Sequence, residues 1–202
     1  MHHDEVIPIL DFGSQYSQLI ARRVREKGVY SELVRPDMPA ADLRKMNARG
    51  LILSGGPSSV YEPNAPRCDP AIFDMGIPIL GICYGMQLGV QILGGQVKPA
   101  RAREYGRARL HIARPDALVK GLPDDTTVWM SHGDQVCELP PEFEAIATTA
   151  TCPYAAARHR PAASRSCTTS SMRSAAAPAP GRWRASSTRR CGACASRWAA
   201  AR

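Results

Sequence analysis

The chain has 202 residues, of which 44% are hydrophobic, and this is enough for one globular domain with an ordinary core. No apolar run approaches the roughly 18 residues that a membrane span needs, and the polar start lacks the pattern of a secretory signal. The net charge of +8 comes from the end of the chain, because residues 160–202 contain nine Arg and no Lys, Asp or Glu. The preceding residues are close to neutral, which argues against a nucleic-acid-binding surface.

Apolar segments alternate with helical patterns from the start of the chain to about residue 147, which predicts an α/β fold. Each predicted strand is short and apolar, and each predicted helix carries apolar residues on one face. The predicted strands are 6–10, 29–34, 50–54, 77–80, 106–113, 127–130 and 143–148. The predicted helices are 15–27, 40–47, 70–75 and 84–93.

The composition changes sharply near the end of the chain. From Ala147 onward there is no Ile, Leu or Val, and residues 160–202 are rich in Ala, Arg and Ser. Such a segment buries too little apolar surface to offset the entropy of ordering, so we expect it to be disordered. The sequence therefore predicts a domain over residues 1–159 and a tail over 160–202. Out-of-frame reading of a GC-rich coding sequence would produce this composition.

The seven cysteines are odd in number and irregularly spaced, which argues against a disulfide framework and for a reducing, cytoplasmic setting. The pair Cys191 and Cys194 has no second pair and no nearby histidine, so no metal site is predicted there. The arginines of the tail have no interleaved aromatic residues apart from Trp183 and Trp198, which argues against nucleic-acid binding by the tail.

The segment Gly81-Ile82-Cys83-Tyr84-Gly85 has the pattern of a nucleophile elbow. An apolar strand precedes it, a helix follows it, and glycines flank the cysteine two residues away on each side. The glycines would let neighbouring backbone pass without Cβ clashes. Such a turn points the nucleophile towards solvent at the carboxyl edge of the sheet, where open α/β folds bind ligands. The following helix begins beneath the sulfur, and its free N–H groups predict that Cys83 favours the thiolate.

Four motifs together carry a family resemblance, and they are the segments 11–16 (DFGSQY), 53–61 (LSGGPSSVY), 81–87 (GICYGMQ) and 129–134 (WMSHGD). With these motifs, residues 6–159 resemble the class I glutamine amidotransferase domains of GMP synthases. The resemblance implies a flavodoxin-like α/β sheet, incomplete at residue 159 so that its last strands are missing. It also implies hydrolysis of glutamine to glutamate and ammonia. It also implies a partner, an ATP-pyrophosphatase domain or subunit that binds ATP and magnesium and aminates XMP to GMP.

The resemblance assigns roles to individual residues, with no metal and no cofactor in this chain. Cys83 would be the nucleophile, and the backbone N–H groups of Gly56 and Tyr84 would form an oxyanion hole. The resemblance places the remaining residues in glutamine binding, and they are Gln87, Ser131, His132, Gly133 and Asp134.

One part of the family pattern is absent from this chain. The family completes its catalytic triad with the His and Glu of a Phe-His-Pro-Glu segment, whereas this chain has no Glu after Glu144 and no His after His159. Without a base and its orienting carboxylate, we expect weak or absent glutaminase activity. The alternative is an inactive pseudo-enzyme, or a regulatory subunit that binds glutamine or a synthetase partner.

Overall fold

A computed structural model describes residues 5–160 and 170–173, which form one mixed sheet with helices packed against it. In this part of the chain the strands are β1 (Val6–Leu10), β2 (Tyr30–Val34), β3 (Leu51–Leu53), β4 (Ile79–Ile82), β5 (Gln96–Ile112), β6 (Thr126–Glu138), β7 (Phe143–Thr148), β8 (Ala156–His159) and β9 (Ser170–Arg173). The helices are α1 (Ser17–Arg25), α2 (Ala40–Lys45) and α3 (Tyr84–Ile92), with a 3₁₀ helix at Pro70–Asp74.

The strand order is β2-β1-β3-β4-β9-β8-β7-β5-β6. The first five strands of this order pair in parallel, and the pairs from β9 to β6 are antiparallel. The backbone pairing between the parallel and antiparallel halves therefore runs through β9 alone in the described residues. The predicted α/β, flavodoxin-like fold is confirmed.

Strands β1, β3 and β4 are apolar on both faces because helices cover both sides. Ile7, Ile9 and Ile52 pack with Ala21 of α1 on one face. The intervening side chains point to the other face, where a larger cluster includes Leu43 of α2 and Leu88 of α3. A third cluster joins α3 to the antiparallel half of the sheet through Met86, Val90, Val136, Phe143 and Ala157.

The prediction that the last strands are missing is wrong for the described residues, because β8 and β9 both lie within the sheet. β8 forms despite its lack of large apolar residues, since Ala156 and Ala157 are small enough to be fully buried. Next to them, Arg158 forms ion pairs with Glu144 of β7 and with Asp116. The Arg158 guanidinium lowers the pKa of the Glu144 carboxyl.

The predicted disorder of residues 160–202 also fails for Ser170–Arg173, which form β9. Pairing with strands on both sides outweighs the weak local preference of Ser and Arg for strand structure. The other tail residues, 161–169 and 174–202, lie outside the described residues, as do the cysteines of the Cys191–Cys194 pair. In the part of the chain that the structure describes, no helix is long and apolar enough to cross a membrane.

Two truncations test the role of β9 as the link between the halves of the sheet. A chain that ends at Arg160 leaves β4 and β8 with unpaired edges, so we expect dye-binding apolar surface, aggregation and loss of cooperative unfolding. A chain that ends at Arg173 keeps β9 and is the matched control. The measurements are ANS fluorescence, gel filtration and urea unfolding, and equal behaviour of the two chains would contradict the pairing of β9.

Candidate active site

The turn between β4 and α3 has the backbone geometry of a nucleophile elbow. Cys83 has φ +51° and ψ −110°, a conformation that non-glycine residues rarely adopt. A Cβ atom at Gly81 would lie 2.7 Å from the Met86 backbone nitrogen, and one at Gly85 would collide with the Leu53 carbonyl oxygen. Both flanking glycines are therefore required by close backbone contact, as the sequence predicts.

A glycine loop after β3 lies beside the cysteine. A Cβ atom at Gly55 would be 3.6 Å from the Cβ of Cys83, and one at Gly56 would be 2.6 Å from the Phe12 carbonyl oxygen. The buried Ser54 hydroxyl fixes the start of this loop, because it accepts a hydrogen bond from the Phe12 N–H (3.0 Å) and donates one to the Gly55 carbonyl (2.9 Å). Only bare backbone therefore approaches Cys83 from this side.

β6 borders the cysteine on another side. The Cys83 thiol donates to the Ser131 carbonyl with an Sγ–O distance of 3.8 Å, whereas the Ser131 side chain is exposed. Gln87 is buried, and its Nε2 donates to the Asp134 carbonyl at 2.9 Å. These two hydrogen bonds hold the strand segment 131–134 against the elbow, with Gly133 half-buried between them.

The Asp134 carboxylate faces the glycine loop. It accepts hydrogen bonds from the hydroxyls of Ser59 and Tyr61, the latter at 2.8 Å. Segments 55–61 and 131–134, which are far apart in sequence, are therefore joined directly above the elbow. Residues 131–134 belong to β6, although the strand predicted here ends at residue 130; pairing with β5 extends the strand across the Gly133 position.

A small cavity lies between the elbow and β6. Of the residues predicted for the site, Cys83, Gln87, His132 and Asp134 line it. The Nδ1 of His132 and the Oε1 of Gln135 are buried in its wall without a hydrogen-bond partner. Unpaired buried polar groups are costly, so a wall of this kind suits a polar ligand.

The predicted oxyanion-hole residues flank Cys83 on its two sides. The Tyr84 backbone N–H hydrogen-bonds the sulfur of Cys83, while its side chain is buried and donates to the Pro66 carbonyl at 2.5 Å. Gly56 follows Gly55, whose backbone packs on the Cys83 side chain. The backbone amides of residues 56 and 84 therefore belong to the two segments that meet at Cys83.

Sequence reasoning missed Glu104. Its Oε2 lies 3.1 Å from Nε2 of His132, and both side chains are nearly buried. No motif marks this residue, because β5 brings it to β6 only after an irregularity in register between Pro99 and Glu104. The contact between Glu104 and His132 therefore depends on the pairing of β5 with β6, which local sequence patterns do not reveal.

The environment of Cys83 differs from the expectation of a favoured thiolate. The side chain is half-buried, and burial raises the pKa of the Cys83 thiol. The hydrogen bond from the Tyr84 N–H opposes this shift and the nearby Asp134 charge adds to it, but burial dominates. At neutral pH the resting cysteine is therefore a thiol that needs a proton acceptor.

His159 does not lie where a base would be useful. Ala156 of β8 is opposite Arg173 of β9, which is opposite Ile82, the residue before Cys83. Since β8 runs away from the elbow, His159 lies about 10 Å further from it along the strand. Its ring instead packs edge-on against Phe143, with a centroid distance of 5.1 Å. Among the described histidines, His132 alone lines the cavity with Cys83.

The chain is similar to known proteins in its amino-acid sequence. The family model for class I glutamine amidotransferases matches residues 8–167. The chain is 58% identical to a glutamine-hydrolysing GMP synthase of Nostoc over 152 residues, which are 75% of this chain and 28% of that protein. It is 56% identical to the corresponding enzyme of Staphylococcus carnosus over 75% of this chain and 29% of the relative. The chain thus spans less than a third of the length of these relatives.

Among solved structures, the fold is similar to that of a putative GMP synthase subunit from Thermoplasma acidophilum. The TM-score is 0.71 with 30% sequence identity, and the match covers 85% of this chain and 84% of that one. A glutamine amidotransferase from Thermotoga maritima has a TM-score of 0.58 at 22% identity, with 78% of this chain and 72% of that one covered, which shows the likeness of the fold.

Alkylation of Cys83 as a function of pH tests its environment. Because its pKa is raised, the thiolate fraction at neutral pH is small and grows about tenfold per pH unit up to the pKa. We expect iodoacetamide labelling of Cys83, followed by peptide mass spectrometry, to accelerate with each rise in pH above neutrality and not to precede labelling of the exposed Cys137 at neutral pH. A pH-independent reaction that is fastest at Cys83 would show that the helix terminus outweighs burial.

The hydrogen bond from Gln87 to β6 is tested by a matched pair of variants. Gln87→Ala leaves the Asp134 carbonyl without its donor, so we expect a loss of about 1–3 kcal/mol in the free energy of unfolding. Gln91→Ala on the same helix removes a buried oxygen that has no partner and should cost much less. Urea unfolding measures both, and equal losses would mean that the hydrogen bond contributes nothing.

Proposed function

The chain belongs to the class I glutamine amidotransferase family, and on this premise we propose that it is the glutamine-hydrolysing part of a GMP synthase. The observation that carries the proposal is the elbow, where Cys83 is held at positive φ between a bare glycine loop and the start of α3. The identity to GMP synthases over three quarters of the chain supports this branch of the family.

Cys83 would act as the nucleophile on the side-chain amide of glutamine. Its sulfur forms a bond to the carboxamide carbon, and the carbonyl oxygen becomes an oxyanion that accepts hydrogen bonds from the N–H groups of Gly56 and Tyr84. The C–N bond then breaks, and the nitrogen takes up a proton and leaves as ammonia. Water hydrolyses the remaining thioester, which gives glutamate and the free thiol.

Glutamine would be held by the wall between α3 and β6. Gln87, His132 and Asp134 line the cavity beside Cys83, and polar groups of this kind would bind the amino and carboxylate groups of a free amino acid. Asp134 supports this wall through Ser59 and Tyr61 instead of offering its carboxylate to the substrate. His132 belongs to the same wall.

We propose that hydrolysis by this chain is slow. The Cys83 thiol has a raised pKa, and the chain has no His-Pro-Glu segment to supply a base and its orienting carboxylate. General-base assistance is worth roughly 10²–10⁴-fold, so its loss reduces turnover by that order. The same observations support the second candidate, a pseudo-enzyme that binds glutamine or a synthetase partner without turnover.

The remaining chemistry of GMP synthesis would belong to a partner. Ammonia released at Cys83 would pass to an ATP-pyrophosphatase domain or subunit, which would bind ATP and magnesium and aminate XMP to GMP in the cytoplasm. The chain's coverage of less than a third of its relatives is consistent with such a division. No metal or cofactor is required of this chain for the hydrolysis itself.

Replacing the missing base tests the proposed function. We expect a chain whose residues after His159 are replaced by a family-like segment with Phe-His-Pro-Glu to hydrolyse glutamine about 10²–10⁴-fold faster than the chain as written. The increase should be largest with a synthetase partner present. Ammonia release in a coupled glutamate dehydrogenase assay is the measurement.

Two controls belong to this experiment. The same graft with Gln in place of its histidine keeps the segment but lacks the base, and Cys83→Ala in the grafted chain removes the nucleophile; both should return activity to background. Full turnover by the chain as written, abolished by His132→Ala, would show instead that the base is already present and that the tail does not limit activity.

A further inference from the structure

Three potential metal ligands meet beside the cavity, and none of their side chains makes or breaks a bond in the proposed reaction. We propose that Glu104, His132 and Cys152 form a zinc-binding site. One carboxylate oxygen, one imidazole nitrogen and the sulfur all lie within 4.8 Å of one another. Two of the three residues are buried and come from different elements, so the fold and not local sequence brings them together.

The chemical types of the three ligand atoms favour zinc over other common metal ions. A nitrogen, a sulfur and a single carboxylate suit zinc, whereas calcium and magnesium prefer oxygen ligands alone. Zinc–nitrogen and zinc–oxygen bonds of about 2.0–2.1 Å at tetrahedral angles separate the two ligand atoms by roughly 3.3 Å. The observed distance of 3.1 Å between Nε2 of His132 and Oε2 of Glu104 is already close to this value.

The carboxylate is oriented for this role by its surroundings. Its other oxygen, Oε1, accepts hydrogen bonds from the hydroxyls of Thr149 and Thr151, the former at 2.6 Å. This leaves Oε2 to face His132. The Thr149 hydroxyl also accepts the N–H of Cys152 at 3.0 Å, which fixes the turn that carries the sulfur. Hydrogen-bonded outer partners of this kind hold metal ligands in position.

The sulfur would exchange a proton for the metal. Zinc binds cysteine as the thiolate, so binding would release the proton of the buried Cys152 thiol. Three protein ligands leave a fourth position for water or another ligand. His132 and Cys152 also line the cavity beside Cys83.

Cobalt(II), which replaces zinc and reports on thiolate ligation by its charge-transfer absorption, tests the site. The parent is the full chain with Cys83→Ala, Cys167→Ser, Cys191→Ser and Cys194→Ser, which leaves Cys68, Cys137 and Cys152 as its only cysteines. We expect cobalt to produce a thiolate charge-transfer band that zinc abolishes in competition. Cys152→Ser should lose the band, whereas Cys137→Ser, which changes an exposed cysteine outside the cluster, should retain it.

The other two ligands are tested by affinity. Glu104→Gln and His132→Gln should each weaken zinc binding at least about tenfold in competition with a chromophoric chelator, whereas His111→Gln, at an exposed histidine, should not. If Cys152→Ser fails to fold, protection of Cys152 from alkylation by zinc in the unsubstituted chain replaces it. A band that survives Cys152→Ser, no protection, or equal affinities across the variants would overturn the proposal. None of these measurements depends on glutamine hydrolysis.

Discussion

The close approach of α3 to the parallel strands is the constraint on which the candidate site depends. The helix can begin directly after β4 only because Gly85 brings its backbone onto Leu53 and Gly81 lies under Met86. This packing forces Cys83 into a left-handed conformation and aims its side chain at β6. The same helix carries Gln87 to the Asp134 carbonyl, so one helix–strand contact positions both the nucleophile and the wall opposite it.

Burial and helix polarity compete at this nucleophile, and burial dominates. The N–H of Tyr84 stabilises the thiolate as the start of a helix should, yet the enclosed position of the sulfur raises its pKa. An enclosed site excludes water and strengthens hydrogen bonds to an oxyanion, but it makes the nucleophile depend on a proton acceptor. The start of α3 therefore does not make Cys83 a thiolate by itself, and no His-Pro-Glu segment is present to take up its proton.

The local patterns of the sequence were sufficient for most of the parallel half and for β7. Strands β1 and β7 begin and end as predicted, and the elbow glycines have the predicted cause, because both follow from short-range periodicity and turn chemistry. The sequence did not predict β8, β9 or the extension of β6 through residues 131–138. Their strand structure comes from pairing with distant partners, which overrides weak local propensity. Glu104 was missed for the same reason, since only the register of β5 on β6 places it against His132.

The position of β9 has a consequence for how the chain folds during synthesis. β4 ends at Ile82, whereas the strand that pairs with its free edge begins at Ser170. At about 5–20 residues per second, a ribosome needs several seconds to make the intervening segment, and during that time the edge of β4 has no native partner. Pairing over such a sequence separation is also intrinsically slow. A chaperone would therefore be most useful after β4 has been made and before β9 is available to cover its edge.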